Sequence, residues 1–155
     1  MCIRDRIRSW GLSPDVILHE TGLAGRENDH PLHLSRGELK RLHLACVLAT
    51  QYDVLILDEP FSALDCIRKE RLCRRLETAG NGITIILTHE PLWLPKTDML
   101  WEMDAGTLRS LGRIPEALLS WADAPRPIRT VIDRGNLPRN ITPADIREAR
   151  CRTRG

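Results

Sequence analysis

Two carboxylates stand side by side at Asp58 and Glu59, closing the apolar run Val54-Leu55-Ile56-Leu57 and immediately preceding Pro60. A run that is apolar at every position suits a strand covered on both faces in a parallel sheet, and the carboxyl end of such a strand is where open α/β sheets present ligand-binding groups. An aspartate there suits Mg²⁺ held through water, and the glutamate beside it suits a base that orients or deprotonates a water next to a phosphoryl group. The same pair also occurs in ordinary solvated turns, so the chemistry depends on what surrounds it.

Three short polar stretches surround it. Upstream, Leu34-Ser35-Arg36-Gly37-Glu38 opens a helical pattern, so backbone N–H groups, the Ser35 hydroxyl and the positive helix end converge where an anion fits. Downstream, Ser62-Ala63-Leu64-Asp65 follows the carboxylates by a short turn, and Thr88-His89-Glu90 closes a second apolar run, Ile83-Thr84-Ile85-Ile86-Leu87. Taken singly, each reads equally well as a helix cap or a loop.

The elements that position these groups follow from periodicity. Ser13-Pro14 before Asp15-Val16-Ile17-Leu18 is a helix start, fading at Gly22 and Gly25. Leu39, Leu42, Ala45, Cys46 and Ala49 recur every three or four positions from Glu38 to Thr50, with Ser35 placed to cap that helix and Lys40, Arg41 and His43 off its apolar face. Cys66 to Ala79 reads as a helix stopped by Gly80-Asn81-Gly82, which makes Val54–Leu87 a strand, helix and strand crossover. Met99–Met103 and Thr107–Leu111 flank Asp104-Ala105-Gly106 as a hairpin, and Pro115–Trp121 is a short helix. Beyond Asp123 the aliphatics thin out, prolines interrupt and arginines accumulate at 126, 129, 134, 139, 147, 150, 152 and 154. That stretch is expected to be a solvated tail, with Thr142-Pro143 capping one helix to about Arg150.

Composition narrows the function classes. Twenty-three basic and twenty-one acidic residues leave a formal charge of +2, too little to imply a polyanion partner, so nucleic acid is not expected. Five cysteines, odd in number and without C-x-x-C spacing, suit reduced thiols in the cytosol. No apolar run approaches the roughly 20 residues of a membrane span, so a membrane role would be peripheral. The opening MCIRDR is dense in charge and resembles translated sequencing-adapter sequence; residues 1–11 are therefore left out of the fold.

In this order and at these separations the stretches resemble the carboxyl-terminal half of an ATP-binding cassette ATPase, over roughly Leu12 to Trp121. LSRGE is similar to the signature motif, VLILDEP to the Walker B strand, SALD to the D-loop and His89 to the switch histidine. The resemblance implies an α/β P-loop NTPase fold in truncated form, with a mostly parallel sheet core, part of an α-helical subdomain, a C-terminal hairpin and an arginine-rich tail. Its domains would be a non-native or truncated start at 1–11, a partial ATPase domain at 12–123 and the tail at 124–155. It implies ATP and Mg²⁺ as cofactors. Glu59 would be the catalytic base, Asp58 the Mg²⁺ partner, His89 a sensor of the γ-phosphate and Asp65 a contact across a dimer. Ser35, Arg36, Gly37 and Glu38 would meet ATP held by the opposite subunit, although Arg36 stands where the family usually has glycine and Glu38 where it often has glutamine.

One part of the pattern is missing. No glycine in the chain is followed by lysine, so the G-x-x-x-x-G-K-[ST] phosphate loop is absent, and this chain alone is expected not to hydrolyse ATP. Within the family, LSRGELKRLHLACVLA and LWEMDAGTLRSLG look most like energy-coupling-factor importers of vitamins or transition-metal ions. The implied partners are a second ATPase subunit arranged head to tail and a transmembrane coupling subunit, on the inner face of the cell membrane. The competing readings are a soluble cassette protein acting on nucleic acid or ribosomes, and a half-cassette that does not hydrolyse.

Overall fold

Ile3 and Ile7 lie four residues apart, the helical period, and both are wholly buried on one face of helix α1 (Ile3–Arg8). The Ile3 and Arg4 N–H groups donate to the carbonyls of Asp29 and Glu27, each at 3.0 Å. The expectation that residues 1–11 stand outside the fold is thereby corrected. The charges at Arg4, Asp5 and Arg6 obscured a two-residue apolar stripe that packs on Ile17, Leu18 and Leu42.

The computed structural model describes residues 1–79 and 82–152, so Gly80 and Asn81 of the predicted glycine stop, and Arg154, lie outside the described residues. The chain divides into two units, Met1–Arg68 with Thr78–Thr88, and Lys69–Glu77 with His89–Gly155.

In the first unit, Pro14 at the first helical position opens α2 (Pro14–Thr21), and Gly22 ends it at φ 70°, a left-handed conformation that glycine adopts without a side-chain penalty. A 3-10 turn at Pro31–His33 leads to α3 (Arg36–Leu48), which buries Leu42, Ala45 and Cys46 against α1 and α2. Arg41 reaches back from α3 to donate to the Thr21 carbonyl at 3.3 Å. Strand β1 (Val54–Asp58) pairs in parallel with β2 (Ile83–Leu87), from Val54 opposite Ile83 to Asp58 opposite Leu87. Helix α4 (Cys66–Thr78) follows β1 and precedes β2 in the chain, and its residues Lys69–Glu77 belong to the second unit.

The expected covering of both sheet faces is corrected. Leu55 and Leu57 are buried, but Val54 and Ile56 are 50% and 63% exposed, and Ile83, Ile85 and Leu87 are exposed on β2. The run is apolar on both faces, yet among the described residues this two-stranded sheet is covered on one.

In the second unit, β3 (Met99–Asp104) and β4 (Thr107–Arg113) form an antiparallel hairpin. Its turn residues Ala105 and Gly106 both have positive φ, as the tightest hairpin turns require. Helix α5 (Ala117–Ser120) packs Ala117 and Leu118 on Leu100. The segment beyond Asp123 is not a solvated tail. Helices α6 (Arg126–Ile132) and α7 (Pro143–Cys151) bury Ile128, Val131, Ile146 and Ala149 against one another, and Trp121 touches this cluster as well as the hairpin's. Thr142 caps α7 as expected, accepting from the Asp145 N–H at 3.2 Å. Asn140 exchanges two hydrogen bonds of 3.0 Å with the Thr97 backbone, tying the intervening loop down. Thinly spread aliphatics sufficed because two short helices need only one buried stripe each. Among the described residues, no helix is long and apolar enough to cross a membrane.

Candidate functional site

Register brings the carboxylates to the end of the parallel pair. Asp58 is the last residue of β1 and is exposed, and Glu59 follows it half-buried at φ 46°. A left-handed conformation at a residue with a long side chain costs on the order of 1 kcal/mol, so something must hold it. The Glu59 N–H donates to the Leu87 carbonyl at 2.8 Å, which extends the ladder one residue past β1. Its carboxylate accepts from the Thr88 hydroxyl at 3.3 Å. Its carbonyl accepts from the Ser62 hydroxyl at 3.0 Å and from the Lys40 ammonium, which also donates to Ser62 at 2.5 Å.

Lys40 is the functional residue that periodicity missed. Off the apolar face of α3, it read as a solvated charge, but it fastens that helix to the turn that aims Glu59. A lysine one turn into the helix after LSRGE was the available signal, and nothing local distinguished it from Arg41.

At the start of α3 a reciprocal cap forms. The Ser35 hydroxyl accepts from the Glu38 N–H at 3.3 Å, and the Glu38 carboxylate accepts from the Ser35 N–H at 2.8 Å. Arg26 adds an ion pair to Glu38 at 3.2 Å. The backbone bond from Ser35, then the Ser35 side chain, hold the Glu38 carboxyl below its ordinary range. Glu38 is thus committed to positioning Ser35, which with Arg36 lies exposed. A Cβ at Gly37 would meet nothing closer than the Ala63 carbonyl at 3.6 Å, an ordinary contact. Packing within the chain therefore gives no reason for glycine there, and close approach of a ligand would.

A concavity of about 340 Å³ is lined by Asp58, Arg36 and Lys40 among others. Most of its lining is apolar, and the charges it offers are the Asp58 carboxylate, which suits a hard cation, and the Arg36 guanidinium, which suits a phosphate, since the Lys40 ammonium is taken up by the Glu59 carbonyl and Ser62. An oxygen ligand such as Asp58 suits Mg²⁺, which keeps several waters. Asp65 instead caps α4, accepting from the Arg68 N–H at 2.9 Å and pairing with its guanidinium. His89 is exposed, belongs to the second unit and directly follows Thr88. Ser35 to Glu38, Asp58 and Glu59 thus share the first unit with Asp65, and His89 is joined to them through the chain.

A family model described as ABC transporter matches residues 10–62. The chain is 41% identical over 106 residues to an aliphatic sulfonates import ATP-binding protein of Rhodococcus jostii, covering 65% of this chain and 43% of the relative. It is 43% identical over 103 residues to an energy-coupling factor transporter ATP-binding protein of Methanospirillum hungatei, covering 64% of this chain and 26% of the relative. The match therefore spans less than half the length of either relative. Among solved structures, one described as the ATP binding subunit of an ABC transporter aligns with a TM-score of 0.56 at 21% identity, covering 72% of this chain and 53% of that one. The structure of RNase-L inhibitor aligns with a TM-score of 0.56 at 20% identity, covering 98% and 33%. These likenesses establish the α/β fold.

Proposed function

Because the chain belongs to the ABC transporter family, we propose that it is the carboxyl-terminal part of an ATP-hydrolysing subunit that energises a membrane importer. The observation that carries the reading is the pinned geometry of Glu59, whose carbonyl is held by Lys40 and whose carboxylate is held by Thr88. A residue kept in an unfavourable conformation by several bonds, at the end of a parallel strand, is arranged for chemistry rather than for a turn.

In this reading Glu59 accepts a proton from water beside the terminal phosphoryl group, and Thr88 orients the carboxylate that receives it. Asp58 is the residue that would hold Mg²⁺, which when bound would supply positive charge to the phosphate oxygens. The Ser35 hydroxyl and the N–H groups at Arg36 and Gly37 receive the γ-phosphate of ATP held by an opposing subunit, with Glu38 fixing Ser35 and the Arg36 guanidinium adding positive charge. Asp65 contacts that subunit, and His89 senses the phosphate on its own side. The partners are a second ATPase subunit placed head to tail and a transmembrane coupling subunit at the inner face of the membrane. The class of cargo is that of energy-coupling-factor importers, vitamins or transition-metal ions.

The exposed apolar face of β1 and β2 supports the view that further sequence of the whole subunit covers this sheet and supplies the phosphate loop. The test is titration of the 155-residue chain with a fluorescent ATP analogue and Mg²⁺. No saturable binding is expected up to millimolar nucleotide. Clear binding would mean that this chain holds the triphosphate itself and would overturn the assignment of that task elsewhere.

A further inference from the structure

A second concavity, of about 520 Å³, lies in the second unit between α6 and α7. Its volume falls in the range of small-molecule sites, roughly 300–1,000 Å³. Val131 and Ile146, both buried, and half-buried Trp93 give it an apolar lining. Arg126, Arg147 and Arg150 stand around that lining, all exposed. The spacing is helical: Ile146, Arg147 and Arg150 share one face of α7, and Arg126 and Val131 come from the first and second turns of α6.

Charge balance sets this cluster apart from an ordinary solvated face. Among the described residues, no carboxylate lines the concavity, and the guanidinium groups of Arg126 and Arg147 form no ion pair. The acids of α7 are engaged elsewhere, Glu148 with Arg152 and Arg139, and Asp145 with Thr142. Guanidinium groups beside an aromatic wall match a ligand with a negative head and an apolar or planar body. The length of the groove limits the ligand: α6 has seven residues, about 10 Å of helix, enough for one small molecule and too short to seat several turns of a partner helix.

We propose that the α6–α7 groove binds a small soluble organic anion, its carboxylate, phosphate or sulfonate paired with Arg126 and Arg147 and its apolar body against Trp93 and Ile146. This site is independent of the carboxylates on β1 and does not rest on ATP hydrolysis.

The test uses the whole chain and two probes, 8-anilinonaphthalene-1-sulfonate followed by fluorescence, and 2-naphthoate as competitor. One saturable site is expected, from which 2-naphthoate displaces the dye and the neutral 2-naphthol does not. R126Q/R147Q removes two exposed guanidinium groups without touching the core, and should weaken dye binding by about tenfold or more, as loss of charge-assisted bonds predicts. The apolar face of β1 and β2 also offers the dye a surface, so I56S/I85S is the control and should leave the saturable site unchanged. Undiminished binding by R126Q/R147Q, or loss in I56S/I85S alone, would overturn the proposal. So would arginine-dependent sedimentation with phosphatidylglycerol vesicles that 2-naphthoate fails to compete, because the groove would then be reading a lipid surface.

Discussion

Replacing Ile7 by alanine tests whether the opening helix is part of the first unit's core. Ile7 is wholly buried in a cluster with Ile3, Ile17, Leu18 and Leu42. The change removes three carbons, worth about 0.8 kcal/mol each in transfer from water, and the unfilled cavity brings the cost to about 3 kcal/mol. Native domains are stable by only about 5–15 kcal/mol, so this is a large share of the total. Hydrogen exchange at the Leu42 and Cys46 amides of α3 reports the unfolding of this unit directly. At about 1.4 kcal/mol per tenfold, exchange there should accelerate by roughly a hundredfold. V16A, at a position 62% exposed on α2, should change it by less than about threefold, since surface substitutions stay within about 0.5 kcal/mol. An I7A chain whose α3 amides exchange as slowly as those of V16A would refute the packing argument and return residues 1–11 to the status of an appendage.

Other outcomes follow from single contacts. K40M should destabilise by about 1.5 kcal/mol in urea unfolding, the scale of a charged hydrogen bond, and a change under about 0.5 kcal/mol would mean that Lys40 does not hold the Glu59 turn. S35A should cost about 1 kcal/mol through loss of the cap. The Glu38 carboxyl is held below its usual 4.5, so its contribution is present above that pH and lost as pH falls through the lower folded value. The Tm of the wild type should therefore drop more steeply below pH 4.5 than that of E38Q, and parallel curves would contradict the cap. Burial pushes the Cys73 thiol up to about 11 and raises that of Cys46, whereas Cys66 and Cys151 are exposed. Iodoacetamide at pH 8 should label the exposed pair about a hundredfold faster than Cys73, read by peptide mass spectrometry, and equal rates would contradict the burial.

Periodicity carried the fold furthest where one signal dominated. The bounds of β1 and β2, the hairpin about Ala105-Gly106 and the Thr142-Pro143 cap were all legible, because continuous apolar runs, turn residues and cap chemistry are local. Helix α1 was hidden because its two buried isoleucines are separated by charges. Helix α6, and the packing of the expected α7 against it, were hidden because arginines on their outer faces outweigh the aliphatics beneath. The open sheet face was illegible for a different reason: an apolar run says that both faces avoid water, not which segment covers them. At the site, residue types and order marked Asp58, Glu59 and the Ser35 cap. The positive φ of Glu59 and the Lys40 and Thr88 bonds that hold it are tertiary, and no local spacing encodes them.

The central claim is that Glu59 takes the proton in ATP hydrolysis. Its most direct measurement joins residues 1–152, which keep the buried α1, to a phosphate-loop segment from an energy-coupling-factor relative and compares the joined protein with its E59Q form. Once the unaltered joined protein turns over ATP, E59Q should lose turnover by at least about a hundredfold, the usual worth of a general base, and still bind ATP with unchanged affinity. Hydrolysis retained within a few-fold in E59Q would contradict the account.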